Sequence, residues 1–144
     1  MLEAAQSPGS PACVINISSI DGMRTPPANT YSYSTSKTGL IALTRHLARD
    51  LGPRNITVNA ISPGPFFSRM LASNYRPAYE NWQNPDHPEV KKFKAAIAAG
   101  NPLRRLGETF DIAGTTIFLI SRAGSYVNGA TINVDGGVWI GPKL

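Results

Sequence analysis

The spacing of apolar positions changes several times along the chain, and each change marks an element. The run ACVINIS, residues 12–18, is short, continuous and β-branched, which predicts a strand covered on both faces of a parallel sheet. From Tyr31 the spacing becomes helical: Leu40, Leu43 with Thr44, Leu47 and Leu51 recur at steps of three and four. Thr30 or Asn29 can cap that helix, and Gly52 followed by Pro53 stops it. ITVNAIS, residues 56–62, predicts a second strand, cut off by Pro63-Gly64-Pro65. Residues 65–101 are irregular in composition, with Phe66, Phe67, Tyr75, Tyr79 and Trp82 among prolines, and then a helical piece around EVKKFKAAIAA. TFDIAGTTIFLIS predicts a further helix with Ile112, Thr116, Leu119 and Ile120 on one side, and GATINVDGG a third strand closed by a turn.

Strands without polar alternation, separated by helices, imply parallel crossovers and an α/β architecture. Three strands with few helices to cover both faces predict part of a larger domain. MLEAAQ reads as the last turn of a helix, ended by the breaker cluster SPGSP.

Composition narrows the class. At 144 residues, 42% hydrophobic and 16% charged, the chain reads as about one soluble globular domain rather than a disordered one. No apolar run approaches the ~20 residues of a membrane span, and the N-terminus lacks the basic start and apolar core of a signal peptide. The single cysteine, Cys13, lies in an apolar run and reads as buried; an intracellular, cytoplasmic protein is expected. The net charge of +5 raises nucleic acid as a partner, but the basic residues are scattered and not interleaved with aromatics, so none is expected. A phosphate-bearing cofactor or substrate is a better use for that charge. His46 and His87 have no companions at metal or triad spacing and read as structural or exposed, so no metal is expected.

The stretch TYSYSTSK, Thr30 to Lys37, carries two tyrosines and a lysine. On a helix Tyr33 shares a face with Lys37, four residues on, whereas Tyr31 lies ~240° around from it. Only Tyr33 can feel the lysine charge. Taken alone the pair reads as a surface tyrosine and a solvated charge. It stands, however, between SSIDG after the first strand and SPGPFFS after the second, with VDGG at the end.

These four motifs, in that order, resemble the C-terminal half of a short-chain dehydrogenase/reductase. GPFFSRM with SIDG is most similar to the branch of 3-oxoacyl-acyl-carrier-protein reductase-like enzymes that includes the rhamnolipid-biosynthesis reductase. The interval from Ser19 to Tyr33 is slightly longer than the family's habit, and the MRTPPANT loop absorbs the surplus, so Ser19 rather than Ser18 takes the catalytic position. Physical chemistry agrees with the resemblance. Hydride reduction of a ketone leaves an oxyanion that needs a proton donor. A free phenol holds its proton too tightly near neutrality, and an adjacent ammonium favours the phenolate. Ser19 would polarise the substrate oxygen, Tyr33 act as acid and base, and Lys37 tune Tyr33.

The resemblance further implies that Tyr33 and Lys37 hold the nicotinamide ribose, and that Pro63, Gly64, the backbone of Phe66 and the Ser68 hydroxyl line the nicotinamide. The cofactor it implies is NADP or NAD, with NADP favoured. The substrate it implies is a small carbonyl or hydroxyl compound, acyl-chain compounds included, and the assembly it implies is a homo-oligomer, a tetramer in the intact parent. The expected fold is the last three strands, with their helices, of a doubly wound Rossmann domain. No Gly-x-Gly-x-x-Gly or Gly-x-x-x-Gly-x-Gly occurs in the sequence, so residues 1–144 read as a partial domain without the coenzyme-phosphate half. The other reading is a non-catalytic fragment or an oligomerising module. Residues 66–101 read as a mobile loop over the substrate, its aromatics serving either as pocket or as plain core.

Overall fold

A computed structural model describes residues 10–26 and 30–141. The MLEAAQ turn and the alternative cap Asn29 lie outside the described residues. The strands are β1 (Ala12–Ile17), β2 (Ile56–Pro63) and β3 (Thr131–Val134). The helices are α1 (Tyr31–Leu51), α2 (Arg69–Ala72), α3 (Arg76–Glu80), α4 (Pro88–Ala99) and α5 (Thr109–Ile120). They divide between two compact units, one within Met1–Pro63 and Phe110–Val134, the other within Gly64–Thr109 and Asp135–Leu144.

In the first unit the strands form a parallel sheet in the order β1-β2-β3, as the α/β reading predicts. Ala12 stands opposite Ile56 and Ile17 opposite Ile61, while Ala60 and Pro63 face Thr131 and Val134. Only β2, the middle strand, is buried from Ile56 to Ser62. The expectation that β1 is covered on both faces is corrected: residues 12–16 are half-buried, and Ile17 is 48% exposed. β1 has β2 on one side only among the described residues, so its apolar run gains half the cover that β2 receives.

Helix α1 packs on the sheet face carrying Ile56 and Val58, with Ala48 at the centre and Leu47, Leu51, Ala12 and Val14 around it. The predicted leucine stripe is rotated. Ile41, Thr44 and Ala48 form the buried line and Leu43 is 47% exposed. A polar pair causes the turn: Asn16 Nδ2 donates to Thr44 Oγ1 at 2.9 Å, and that hydroxyl donates to the Leu40 carbonyl at 2.8 Å. Small residues at 44 and 48 then bring the helix close to the strands. Gly52 and Pro53 end α1 as predicted, followed by Asn55 in the left-handed region at φ 56°. Thr30 is the N-cap, but its hydroxyl makes no cap bond; it sits 3.2 Å from the Ser34 hydroxyl instead.

Two asparagines fasten the approach to β3. Asn59, fully buried, donates to the Val127 carbonyl at 2.7 Å and accepts from Ala130 N at 3.0 Å. Asn128 accepts from Val58 N at 2.9 Å and donates to the Ala48 carbonyl at 3.0 Å, so one side chain ties β2 to the end of α1. Helix α5 buries Leu119 and half-buries Ile112 and Thr116, but Ile120, expected on the same face, is 60% exposed beside Ile117 and Phe118.

The second unit corrects the irregular reading of residues 65–101. Helices α2, α3 and α4 enclose a core of Ala72, Ala78 and Val90, with Phe67, Tyr75, Tyr79, Trp82 and Phe93 packed against it. Helices of four and five residues are too short to show an apolar period in sequence. Tyr75 and Phe93 stack at 5.8 Å. The Tyr75 hydroxyl donates to Glu89 at 2.6 Å, and this bond to a carboxylate raises the phenol above its ordinary range. His87 caps α4, its Nδ1 accepting from Glu89 N at 3.3 Å.

The end of β1 is locked to the start of α1. A Cβ on Gly22 would lie 2.8 Å from the Lys37 carbonyl carbon and 2.9 Å from Lys37 Cβ, so the turn and the helix backbone are in direct contact. The Ser18 hydroxyl donates to the Lys37 carbonyl at 2.9 Å, and Thr38 Oγ1 donates to the Gly22 carbonyl at 2.7 Å. Ser18 N donates to the Ile61 carbonyl at 2.7 Å, which carries the lock back to β2. We predict that Gly22→Ala costs about 2–3 kcal/mol in urea unfolding, because the obstruction is backbone that cannot swing aside. Gly39→Ala, where a Cβ meets nothing within 4 Å, should be neutral or stabilising. Equal effects of the two substitutions would contradict the lock.

Candidate active site

Chain direction sets the site. Three parallel strands point their C-terminal ends the same way, and the segments that leave β1 and β2 carry the residues singled out above. Beyond β1, Ser18 and Ser19 are 3% and 7% exposed, and Ser19 stands in extended backbone. Their hydroxyls are used differently. Ser18 Oγ spends its proton on the Lys37 carbonyl. Ser19 Oγ accepts from Asp21 N at 3.1 Å, as the cap of the short turn Ile20–Gly22, and its own proton has no acceptor among the described residues. Of the two, Ser19 keeps a hydroxyl able to donate outward. Asp21 itself is held by Arg24 at 3.0 Å.

The first turns of α1 bring Tyr33 and Lys37 together, as their spacing requires. Lys37 Nζ lies 5.6 Å from the centroid of the Tyr33 ring. It donates to the Ile17 carbonyl at 2.8 Å, so the lysine reaches back to the last residue of β1. One of its three N–H donors is thereby fixed and two remain. The Tyr33 oxygen makes no hydrogen bond among the described residues, and the ring is half-buried. Tyr31 is 79% exposed, on the far side of the helix. Geometry therefore separates the two tyrosines as the sequence does.

Pro63 ends β2 in this same unit, paired with Val134. Gly64, Phe66 and Ser68 belong to the second unit. A Cβ on Gly64 would fall 2.6 Å from Asp135 Cβ and 2.8 Å from its Cα, so only glycine lets these two backbones meet. Phe66 bridges to Gly107, with its ring 2.3 Å from where a Gly107 Cβ would stand, and Gly107 N donates to the Pro65 carbonyl at 3.0 Å. Ser68 caps α2, accepting from Leu71 N at 3.2 Å, which leaves its hydroxyl proton free to donate.

Sequence reasoning passed over the residues that position these groups. Ser18, Gly22 and Thr38 form the lock around Lys37; a glycine just after a strand was the available signal. In the second unit Asn101, 2% exposed, donates to the Arg105 carbonyl at 2.8 Å and to the Asp135 carbonyl at 3.3 Å, and accepts from Leu103 N at 3.0 Å. The Asp135 carboxylate accepts from Gly137 N at 3.0 Å and Trp139 N at 2.6 Å. Asp-Gly-Gly is turn chemistry that sequence does show; the hub at Asn101 has no local signature. No described helix is long and apolar enough to cross a membrane.

Similarity to known proteins bears on this arrangement. A family model described as enoyl-(acyl carrier protein) reductase matches residues 1–139. The 3-oxoacyl-[acyl-carrier-protein] reductase FabG of Aquifex aeolicus is 37% identical over 127 residues, covering 88% of this chain and 44% of that protein. Protein FixR of Bradyrhizobium diazoefficiens is 39% identical over 124 residues, covering 86% and 38%. Among solved structures, the active-site complex of RhlG with NADP from Pseudomonas aeruginosa superposes with a TM-score of 0.77 at 34% identity, covering 94% of this chain and 50% of that one. The chain thus spans less than half the length of these two curated relatives. Its parallel α/β sheet is the matching part of a Rossmann fold, and the chain belongs to the short-chain dehydrogenase/reductase family.

Proposed function

We propose that this chain carries the catalytic and nicotinamide-facing part of a cytoplasmic NAD(P)-dependent oxidoreductase that interconverts a carbonyl and a hydroxyl group. The observation that carries the reading is Lys37 Nζ, anchored on the Ile17 carbonyl at 2.8 Å and 5.6 Å from the Tyr33 ring. An ammonium so placed favours negative charge on the phenol when Tyr33 passes its proton to a substrate oxygen. Ser19, with its lone pair engaged by Asp21 N, donates its hydroxyl proton to that same oxygen and stabilises the charge that develops there.

The donor set suits a nicotinamide coenzyme. The two free N–H groups of Lys37 are fit to hold ribose hydroxyls, together with the Tyr33 oxygen. Pro63, Gly64, the backbone of Phe66 and the free proton of Ser68 offer a small-residue approach with a polar end for the nicotinamide. When bound, the coenzyme supplies or accepts the hydride. The net charge of +5 and the NADP held by the Pseudomonas relative favour NADP. The Aquifex relative, named as a 3-oxoacyl reductase, supports an acyl-chain carbonyl substrate.

In the active form of the protein, Tyr33→Phe should lower kcat by about two to four orders of magnitude, the usual worth of general-acid help, with coenzyme affinity roughly intact because Lys37 still holds the ribose. Tyr31→Phe should leave kcat near that of the native protein. Equal losses in the two variants would overturn the assignment.

Homo-oligomerisation, as a tetramer in the intact parent, is the second part of the proposal. It is supported by uncovered apolar residues on α1 (Tyr31, Leu43) and on α5 (Phe110, Ile117, Phe118, Ile120). Small-angle scattering should give a mass that is a multiple of the protomer; a monomer mass at high protein concentration would count against it.

A further inference from the structure

The second unit contains an open cavity of about 610 Å³ between the start of α2 and the end of α3. Arg69, Tyr79, Glu80, Asn81, Trp82 and Gln83 line it. Its volume falls in the range of small-molecule sites.

The charges in this cavity are unequally matched. Glu80 is taken by Arg76, whose Nε donates to Glu80 Oε1 at 2.8 Å. Arg69 forms no ion pair among the described residues. Its guanidinium lies over the Tyr79 ring, 5.5 Å from the centroid, and donates to the Tyr79 hydroxyl through Nη2 at 2.8 Å and Nε at 3.3 Å. Stacking and two bonds to one neutral partner hold the fork in place without neutralising it, and Nη1 keeps both protons. Because Tyr79 Oη accepts from Arg69, its own proton is free to donate outward, and Gln83 lines the same cavity. A planar, oriented guanidinium with flanking neutral donors is the arrangement that takes an oxyanion by two parallel hydrogen bonds. Trp82 offers an apolar face in the same cavity.

We propose that this cavity is an oxyanion-recognising subsite: Arg69 binds a carboxylate or phosphate on a small molecule whose apolar part lies against Trp82. Arg69 directly follows Ser68. On the oxidoreductase reading above, on which this step rests, the bound molecule belongs to the substrate class of that reaction. Arg69 is then a specificity residue that selects acidic substrates over neutral ones.

The test uses the fluorescence of Trp82 in the 144-residue chain carrying Trp139→Phe, so that a single indole reports. Three probes are titrated without coenzyme: inorganic phosphate, acetoacetate and its neutral methyl ester. The expected result is saturable binding of acetoacetate or phosphate at least tenfold tighter than of the ester, and at least a tenfold weakening in Arg69→Gln. Binding of acetoacetate alone assigns a carboxylate, and of phosphate alone a phosphoryl group; both support the subsite. Equal binding of acid and ester, no binding of either anion, or an affinity untouched by Arg69→Gln overturns it. These titrations contain no coenzyme and read no turnover. Failure of the catalytic reading and failure of the subsite are therefore separate results.

Discussion

The catalytic reading of this chain depends on one backbone contact, that of Gly22 against Lys37. The turn after β1 meets the helix backbone with no room for a side chain. Ser18 and Thr38 close hydrogen bonds on either side of that contact. The start of a helix is normally its weakest part, because its first N–H groups lack partners and it frays. Here those turns are fastened to the sheet, and Ser18 N carries the fastening on to β2. The Lys37 side chain then has a defined origin from which to reach the Ile17 carbonyl and the Tyr33 ring. The position of Lys37 beside Tyr33 follows from the packing in the lock.

The second unit solves a different problem. Its connection between strands is long and rich in proline, yet it closes on a core of its own, with two alanines and a valine at the centre and aromatics around them. Small residues at the centre let short helices approach closely, and the aromatics supply the buried area that such helices lack. Tyr79 and Trp82 do both jobs weighed from sequence: they pack on that core and also line the cavity beside Arg69. An aromatic wall and a charged rim are thus built from the same few residues.

The strands, α1, α5 and the Tyr33–Lys37 pair were legible in sequence because each rests on a local rule: an apolar run, a helical period, or a four-residue offset. The β1 burial was misjudged because an apolar run does not say whether a strand is central or at an edge. Leu43 was placed inward because leucine is the larger apolar residue, whereas the Asn16–Thr44 hydrogen bond decides which way α1 faces, and that bond joins residues far apart in sequence. Helices α2 and α3 were illegible for want of length. In sequence Ser18 is only the spare serine of a pair, whereas its hydroxyl holds the lysine backbone.

Amide hydrogen exchange reads the central contact most directly. If the β1–α1 lock holds Lys37 in place, the amides from Lys37 to Ile41 should exchange within about tenfold of those in β2 from Val58 to Ile61, as one cooperative unit. Exchange of the Lys37–Ile41 amides about a thousandfold faster than β2 would show a fraying helix start. Tyr33 and Lys37 would then lack the fixed geometry on which the proposed chemistry depends.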